Sequence, residues 1–327
     1  MNNNPLVSII TPSFNQAEFI EQTLQSVLQQ DYAPIEYIVI DGGSTDGSIE
    51  IIKKYSDRLA YWVSEPDQGQ VDAINKGLRR ANGEIVAWIN SDDMYVAGAI
   101  SEAVAVLQDH QEVGMVYGDG IMVDGNNKLL DLHTYRTYDV LDLLCFNVLL
   151  QPTVFMRREV LDKVGLLSDQ YHMVLDHDLW IRIAAEMPIL HVPSFWAVER
   201  THEQAKTVSM TGTFVKEAEE LIHRAEGSPV LGDLIRANER KVRASYHAFA
   251  ARRMIDGGDH RRATLEIFKA YYSDPRIGFQ YWYKAVQASL SAAGLERLFI
   301  GYRNLRRRLQ HGDKHVVMAD QGPELTG

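Results

Sequence analysis

Three observations predict an α/β domain built on a mostly parallel sheet and followed by a purely helical region. Short β-branched runs alternate with segments of helical period through the first hundred residues, and each run ends in a turn-like loop. Such alternation implies parallel strands joined by right-handed crossovers. After about Ser209 the period changes to helix alone.

The elements follow in order. Leu6–Ile10 and Glu36–Ile40 read as buried strands, with Ala60–Ser64 and Glu84–Ile89 as further ones. Ala17–Gln30, Asp46–Tyr55 and Gln70–Ala81 carry helical spacing, with Phe19, Ile20, Leu24, Val27 and Leu28 on one face of the first. A helix is expected over Val96–Leu107. Val113–Tyr117 and Gly120–Val123 are strand-like, and Asp124-Gly125-Asn126-Asn127 marks a hairpin turn. A helix around Asp139–Cys145, a strand at Val154–Met156 and a helix over Leu175–Met187, closed by Pro188, complete the middle third. Helices are then predicted at Phe214–Ala225, Leu231–Met254, Arg261–Tyr272, Gly278–Ala292 and Leu295–Leu309. These readings divide the chain into residues 1–208, a helical region 209–311 and a polar tail 312–327 without a packing pattern, expected to be disordered.

Composition narrows the class. The 327 residues carry 33 Lys and Arg against 44 Asp and Glu, and 46% are hydrophobic, which is ordinary for a globular protein. The single Cys145 excludes a disulfide framework and a Cys-rich zinc cluster. The start, MNNNPLVSII, lacks the basic segment of a signal peptide, and no apolar run is long enough to span a membrane. The expectation is a cytoplasmic protein. Charge is unevenly divided: residues 1–200 hold 29 acids and 13 bases, residues 201–327 hold 15 acids and 20 bases. Such asymmetry suggests that the two parts face different partners.

In parallel sheets, ligands bind beyond the carboxyl ends of the strands. The loops Thr11–Gln16, Asp41–Gly47, Glu65–Gln70 and Asn90–Met94 all lie there. Asp41-Gly42-Gly43-Ser44-Thr45-Asp46-Gly47 is not a dinucleotide fingerprint, because the acid precedes the glycines. Asp46 suits a helix cap, whereas Asp41 stands where a carboxylate would meet a nucleoside. The adjacent acids Asp92 and Asp93 repel each other unless hydrogen bonds or a cation compensate. The loop therefore serves either as a turn or as a Mg²⁺ or Mn²⁺ site. Asp176 and Asp178 are two apart and cannot share a helix face, so they should have different tasks. One suits the helix dipole, and the other suits a general base. Serine hydrolase, zincin and P-loop motifs are missing.

Taken together, VSIITPSFNQAEFIEQTLQSVLQQ, EYIVIDGGSTDGSIEIIKKY, SEPDQGQVDAINKGLRRANGEIVAWINSDDMY and LDHDLWIRIA resemble the family 2 glycosyltransferases, inverting enzymes of the GT-A fold. The resemblance covers most of residues 5–202. It implies a nucleotide-diphospho-sugar donor, a divalent metal (Mn²⁺ or Mg²⁺) and a hydroxyl acceptor, a growing or lipid-linked glycan, as in bacterial polysaccharide biosynthesis. By the same resemblance, Pro12 and Phe14 lie near the nucleobase and Asp41 bonds it. Gln68 borders the diphosphate or donor sugar. Ser91-Asp92-Asp93 matches the D-x-D segment, with Asp92 near the ribose and sugar and Asp93 on the metal. Asp176 matches the general base, and His202 completes the metal site.

Three positions depart from the pattern. Gly42 stands where many relatives have a second acid, Ser91 replaces the first acid of D-x-D, and Leu175 replaces the Glu before the base. The rival readings are a GT-A domain that binds nucleotide-sugar without turnover, and a nucleotidyltransferase. TPSFNQAEF lacks the Gly-rich basic loop of the latter. Arg303, Arg306, Arg307 and Arg308 flank an apolar face on the last helix. That helix either packs on the body or rests peripherally on the anionic inner face of the cytoplasmic membrane. No nucleic-acid partner is expected.

Overall fold

The computed structural model describes residues 4–201 and 210–295, and beyond them residues 301–302, 305–307, 309–310, 312, 314–319 and 322–326. The first half runs β1 (Val7–Ser13), α1 (Ile20–Leu28), β2 (Ile35–Asp41), α2 (Ser48–Lys54), β3 (Tyr61–Ser64), α3 (Gln70–Arg80), β4 (Ile85–Trp88), β5 (Met94–Tyr95) and α4 (Ala99–Asp109). It continues through β6 (Met115–Asp124), β7 (Leu129–His133), α5 (Val140–Leu144), β8 (Val154–Arg157), α6 (Arg158–Val164), α7 (Leu175–Glu186) and β9 (Ile189–Thr201).

Nine strands form one sheet among the described residues, in the order β3-β2-β1-β4-β8-β6-β9-β5, with β7 beside β6. β3, β2, β1 and β4 are parallel, in register Val7 with Ile35 and with Ile85. β8 lies antiparallel to both β4 and β6, whereas β6 and β9 run parallel. The sheet is therefore mixed, mainly parallel in the half that carries the first four loops.

Alternating side chains along the strands divide the core between two faces, as the two-residue period of a strand requires. Ile10, Ile38, Ile40, Val86 and Trp88 pack with α3 and α7, and Val7, Ile9, Tyr37, Val39 and Ile85 pack with α1 and α4. Gly77 lets α3 lie directly on β1, since a Cβ there would come within 2.4 Å of Ile10.

Later helices span Thr211–Glu226, Pro229–Ala237, Glu239–Asp256, His260–Ser273, Pro275–Gln280 and Trp282–Leu290. The long helix expected over Leu231–Met254 is broken at Asn238, whose backbone leaves helical geometry between two of them. Phe214, Ala218, Leu221, Ile222, Ile235, Val242 and Phe249 join the same core as Ile10 and Trp88. The inner part of the helical region is thus packed into the α/β body.

The tail also differs from expectation. Residues 315–319 and 322–326 form an antiparallel hairpin rather than a disordered end. Lys314 O accepts from Leu129 N at 3.0 Å, and Val316 N donates to Asn127 O at 2.9 Å. Val316 is buried with Met94, Ile121, Val123 and Val198. Short apolar residues in a polar tail leave no period to read, and their partners lie some two hundred residues earlier.

Candidate active site

The loops after β1 and β2 are tied together by side chains. Asn15 N donates to Ser44 Oγ at 2.8 Å, Thr45 N to Asn15 Oδ1 at 2.9 Å, and Gln16 N to Ser48 Oγ at 2.9 Å. Asp41 lies beneath this junction with no exposed surface. Its Oδ2 accepts from Gly43 N, Ser44 N and Ser64 Oγ, and its Oδ1 accepts from Ser44 Oγ at 2.6 Å. A carboxylate holding so many donors fixes the loop's shape. Pro12 is buried inside β1, opposite Ile40, whereas the Phe14 ring is 60% exposed at the strand's end. Gln68 lies exposed in the loop after β3.

Gly42 has a physical explanation. A Cβ at this position would come within 2.7 Å of Asp67 Oδ2, so the Asp67 carboxylate fills the room that an acid at 42 would need. Asp67 is held by Gly69 N at 2.8 Å. An acid from the loop after β3 thus occupies the space beside Gly42.

The two acids after β4 are in different situations. Asp93 is 2% exposed; its Oδ1 accepts from Arg200 N at 3.0 Å, and its Oδ2 accepts from Asn90 Nδ2 at 3.3 Å. Burial, and then the charges of Asp92 and Glu199, push its carboxyl well above the usual carboxylate range. Asp92 remains partly exposed, and Ser91 is buried beside it. Arg200 locks this loop. Its guanidinium donates to Asp92 O at 2.5 Å, to Gln22 Oε1 at 2.7 Å and to Asn127 Oδ1 at 2.7 Å, and it lies over the Phe19 ring.

Asp176 and Asp178 also divide their tasks. Asp178 is buried against Arg182, with Nη2 to Oδ2 at 2.8 Å, one helical turn away. Asp176, in the first turn of α7, is partly exposed and accepts from His177 N at 2.7 Å. Burial pushes its carboxyl up to about 6, with Arg253 acting against that rise. The approach to α7 is held by Glu217 from the helix Thr211–Glu226. Its carboxylate accepts from His172 N at 3.0 Å and Met173 N at 2.7 Å. Trp180 of α7 stacks on Trp88 of β4 with ring centres 5.1 Å apart, which fixes the helix relative to the Asp92 loop.

One acid and two arginines were not read as site residues from the sequence. Glu199, near the end of β9, is pushed up to about 7 by burial and by the charges of Asp92 and Asp176. Arg200 and Arg253 are the cations near this group. The only sequence signal was the position of Glu199-Arg200 at the end of an apolar run. His202 lies outside the described residues.

The donor set suits a hard divalent cation. Asp92, Asp93, Glu199 and Asp176 act on one another as like charges, raising the carboxyls of Asp93 and Glu199, and oxygen-rich clusters of this kind favour Mg²⁺ or Mn²⁺. Among the described residues, no three acid, His or Cys side chains converge on one point. Further donors would come from a substrate phosphate, water or a group outside the described residues.

The curled, mainly parallel sheet followed by helices matches the GT-A fold. Two solved structures share this architecture along nearly the whole chain. S. aureus TarS 1–349, in complex with UDP-GlcNAc, aligns with a TM-score of 0.58 and 15% identity over 98% of this chain and 96% of that one. The mannosyltransferase PcManGT of Pyrobaculum calidifontis, in complex with GDP-Man and Mn²⁺, aligns with 0.59 and 18% over 94% and 88%. Residues 8–165 match the model of Glycosyl transferase family 2. An uncharacterized glycosyltransferase of Rickettsia typhi is 27% identical over 254 residues, 75% of this chain and 78% of the relative. Two further Rickettsia relatives, 28% and 29% identical, are longer, and the chain spans 41% of their length.

Proposed function

We propose that the protein transfers a hexosyl or related sugar from a nucleotide-diphospho-sugar to a hydroxyl of a saccharide or lipid-linked saccharide, with inversion at the anomeric carbon. The carrying observation is Asp176: a partly exposed acid, its carboxyl raised to about 6, in the first turn of a helix whose Trp180 stacks on Trp88 of the strand before the Asp92 loop. An acceptor hydroxyl is too weak an acid to ionise beforehand, so Asp176 takes its proton during attack. A single displacement needs one such acid, unlike the paired carboxylates of glycoside hydrolases.

The other groups follow from their positions. The exposed Phe14 ring offers a stacking surface for the base, with Pro12 behind it and the Asp41-shaped loop beside it. Gln68, Ser91 and Asp92 border the ribose, diphosphate and sugar. Asp92 and Glu199 are suited to hold a divalent cation, and His202 would join them by the resemblance. Asp93, the acid matched to the metal by resemblance, is turned instead toward Arg200 N and Asn90. When bound, the cation supplies Lewis-acid neutralisation of the departing diphosphate.

The outer helices support contact with an anionic membrane surface. Leu265, Phe268, Tyr272, Phe279 and Trp282 are more than half exposed there. Residues 260–290 carry five Lys and Arg against two Asp and Glu. Aromatic and basic side chains together suit an anionic lipid interface, whereas a second copy would present the same positive charge.

The deciding experiment is Asp176→Asn with the anomeric product followed by NMR. Loss of transfer by about a thousandfold or more, with nucleotide binding kept, is the expected result. The wild-type rate should fall as pH drops through about 6, because only the ionised base accepts the proton. Near-normal turnover of the variant, or a retained anomeric configuration, refutes this mechanism.

A further inference from the structure

Arg253 is a largely enclosed cation with no task in the fold comparable to that of Arg200. It projects from the last turns of the helix Glu239–Asp256. Its guanidinium carbon lies 4.7 Å from the Phe214 ring centre and 5.4 Å from that of Phe249. Its Nε is buried and meets no acceptor. Phe249 stacks on Phe146 at 4.7 Å, and Phe146 on His177 at 5.4 Å, so the seat of the cation is continuous with the first turn of α7. The charged groups that act on it are Asp256 and Arg252 of its own helix, Glu199 of β9 and Asp176 of α7.

The contrast with Arg200 is chemical. Arg200 donates to three different acceptors and is saturated by the fold. Leaving a guanidinium N–H buried without an acceptor is costly, and a ligand oxygen would remove that cost. The ligand must carry enough negative charge to enter beside several acids. A planar guanidinium fork set against two aromatic rings matches phosphate oxygens in pairs.

We propose that Arg253 is an anion-binding residue contributed by the helical region to the transferase cleft, and that it takes the diphosphate of the donor; this rests on the donor reading above. As the bond from the anomeric carbon to the phosphate oxygen breaks, its electron pair stays on that oxygen. The Arg253 N–H groups then face the added charge. The acceptor proton passes to Asp176. The α/β body and the helices would thus share one site.

The test is calorimetric binding of UDP, GDP, uridine and guanosine, with Mn²⁺, to wild type, Arg253→Gln and Arg253→Lys. Arg253→Gln should weaken the preferred nucleoside diphosphate about 10- to 100-fold and leave its nucleoside unchanged. Arg253→Lys keeps the charge but not the fork, and should lose about three- to tenfold. It decides alone if Arg253→Gln does not fold, and a Lys variant equal to wild type then overturns the proposal. Diphosphate affinity within twofold of wild type in Arg253→Gln overturns it. So does an equal loss for the nucleoside, or a change confined to tighter Mn²⁺ binding, which would make Arg253 only a counter-ion to the acids. Wild type that binds neither diphosphate removes the donor reading itself, and this proposal with it.

Discussion

The helices after the sheet fall into an inner and an outer set with opposite surfaces. In the inner set, Thr211–Glu226 and Glu239–Asp256, Phe214, Ala218, Val242 and Phe249 are buried in the sheet's own core. In the outer set, from His260 to Leu290, Ala263, Ile267 and Ala288 form a small cluster with Ala251 and Ile255 of the inner helix, while Tyr272 is 85% and Phe279 66% exposed. The difference teaches that a change of sequence period is not a boundary of packing. The inner helices complete the catalytic body, and only the outer ones form an appendage.

That comparison can be broken by substitution. Phe249→Ala should cost about 3–5 kcal/mol in urea unfolding, because it empties a stacked site between Phe146 and Phe214. A loss below about 1 kcal/mol would return the inner helices to an independent domain. Glu217→Gln should cost about 1–3 kcal/mol, since a neutral amide holds the three N–H groups before α7 less strongly. Its transfer rate should fall more than its nucleotide affinity, because Asp176 loses its fixed approach. At the small end, Phe279→Ala combined with Trp282→Ala should change stability by no more than about 0.5 kcal/mol per site. The same pair should remove sedimentation with vesicles containing anionic lipid. Unchanged sedimentation, or self-association that disappears in the pair, would assign the outer face to another partner.

Much of the architecture was legible because local period carries it. The runs ending at Ile10 and Ile40 are strands, and their loops lie at the ligand edge. The separate tasks of Asp176 and Asp178 were legible from their spacing, whereas the inward turn of Asp93 was not. Asp93 turns inward because of an N–H at residue 200, and no local pattern records that partner. Glu199 was passed over because a lone acid at a strand end has no spacing to mark it. Gly42 looked like the loss of an acid until Asp67 was seen in the same space. The hairpin at 315–326 depends on Asn127 and Leu129, and short strands paired over such distances leave almost no trace in sequence.

Arg200 also sets an order of assembly. It joins Gln22, Asp92 and Asn127, so the loop that carries the acid pair is closed by a residue more than a hundred positions downstream. Bringing such distant segments together is a slow step in folding, because the loop-closure entropy must be met before the contact exists. During synthesis, the strands of the first four loops can pair long before Arg200 leaves the ribosome. The Asp92 loop therefore gains its Arg200 ties only once segments more than a hundred positions apart have met.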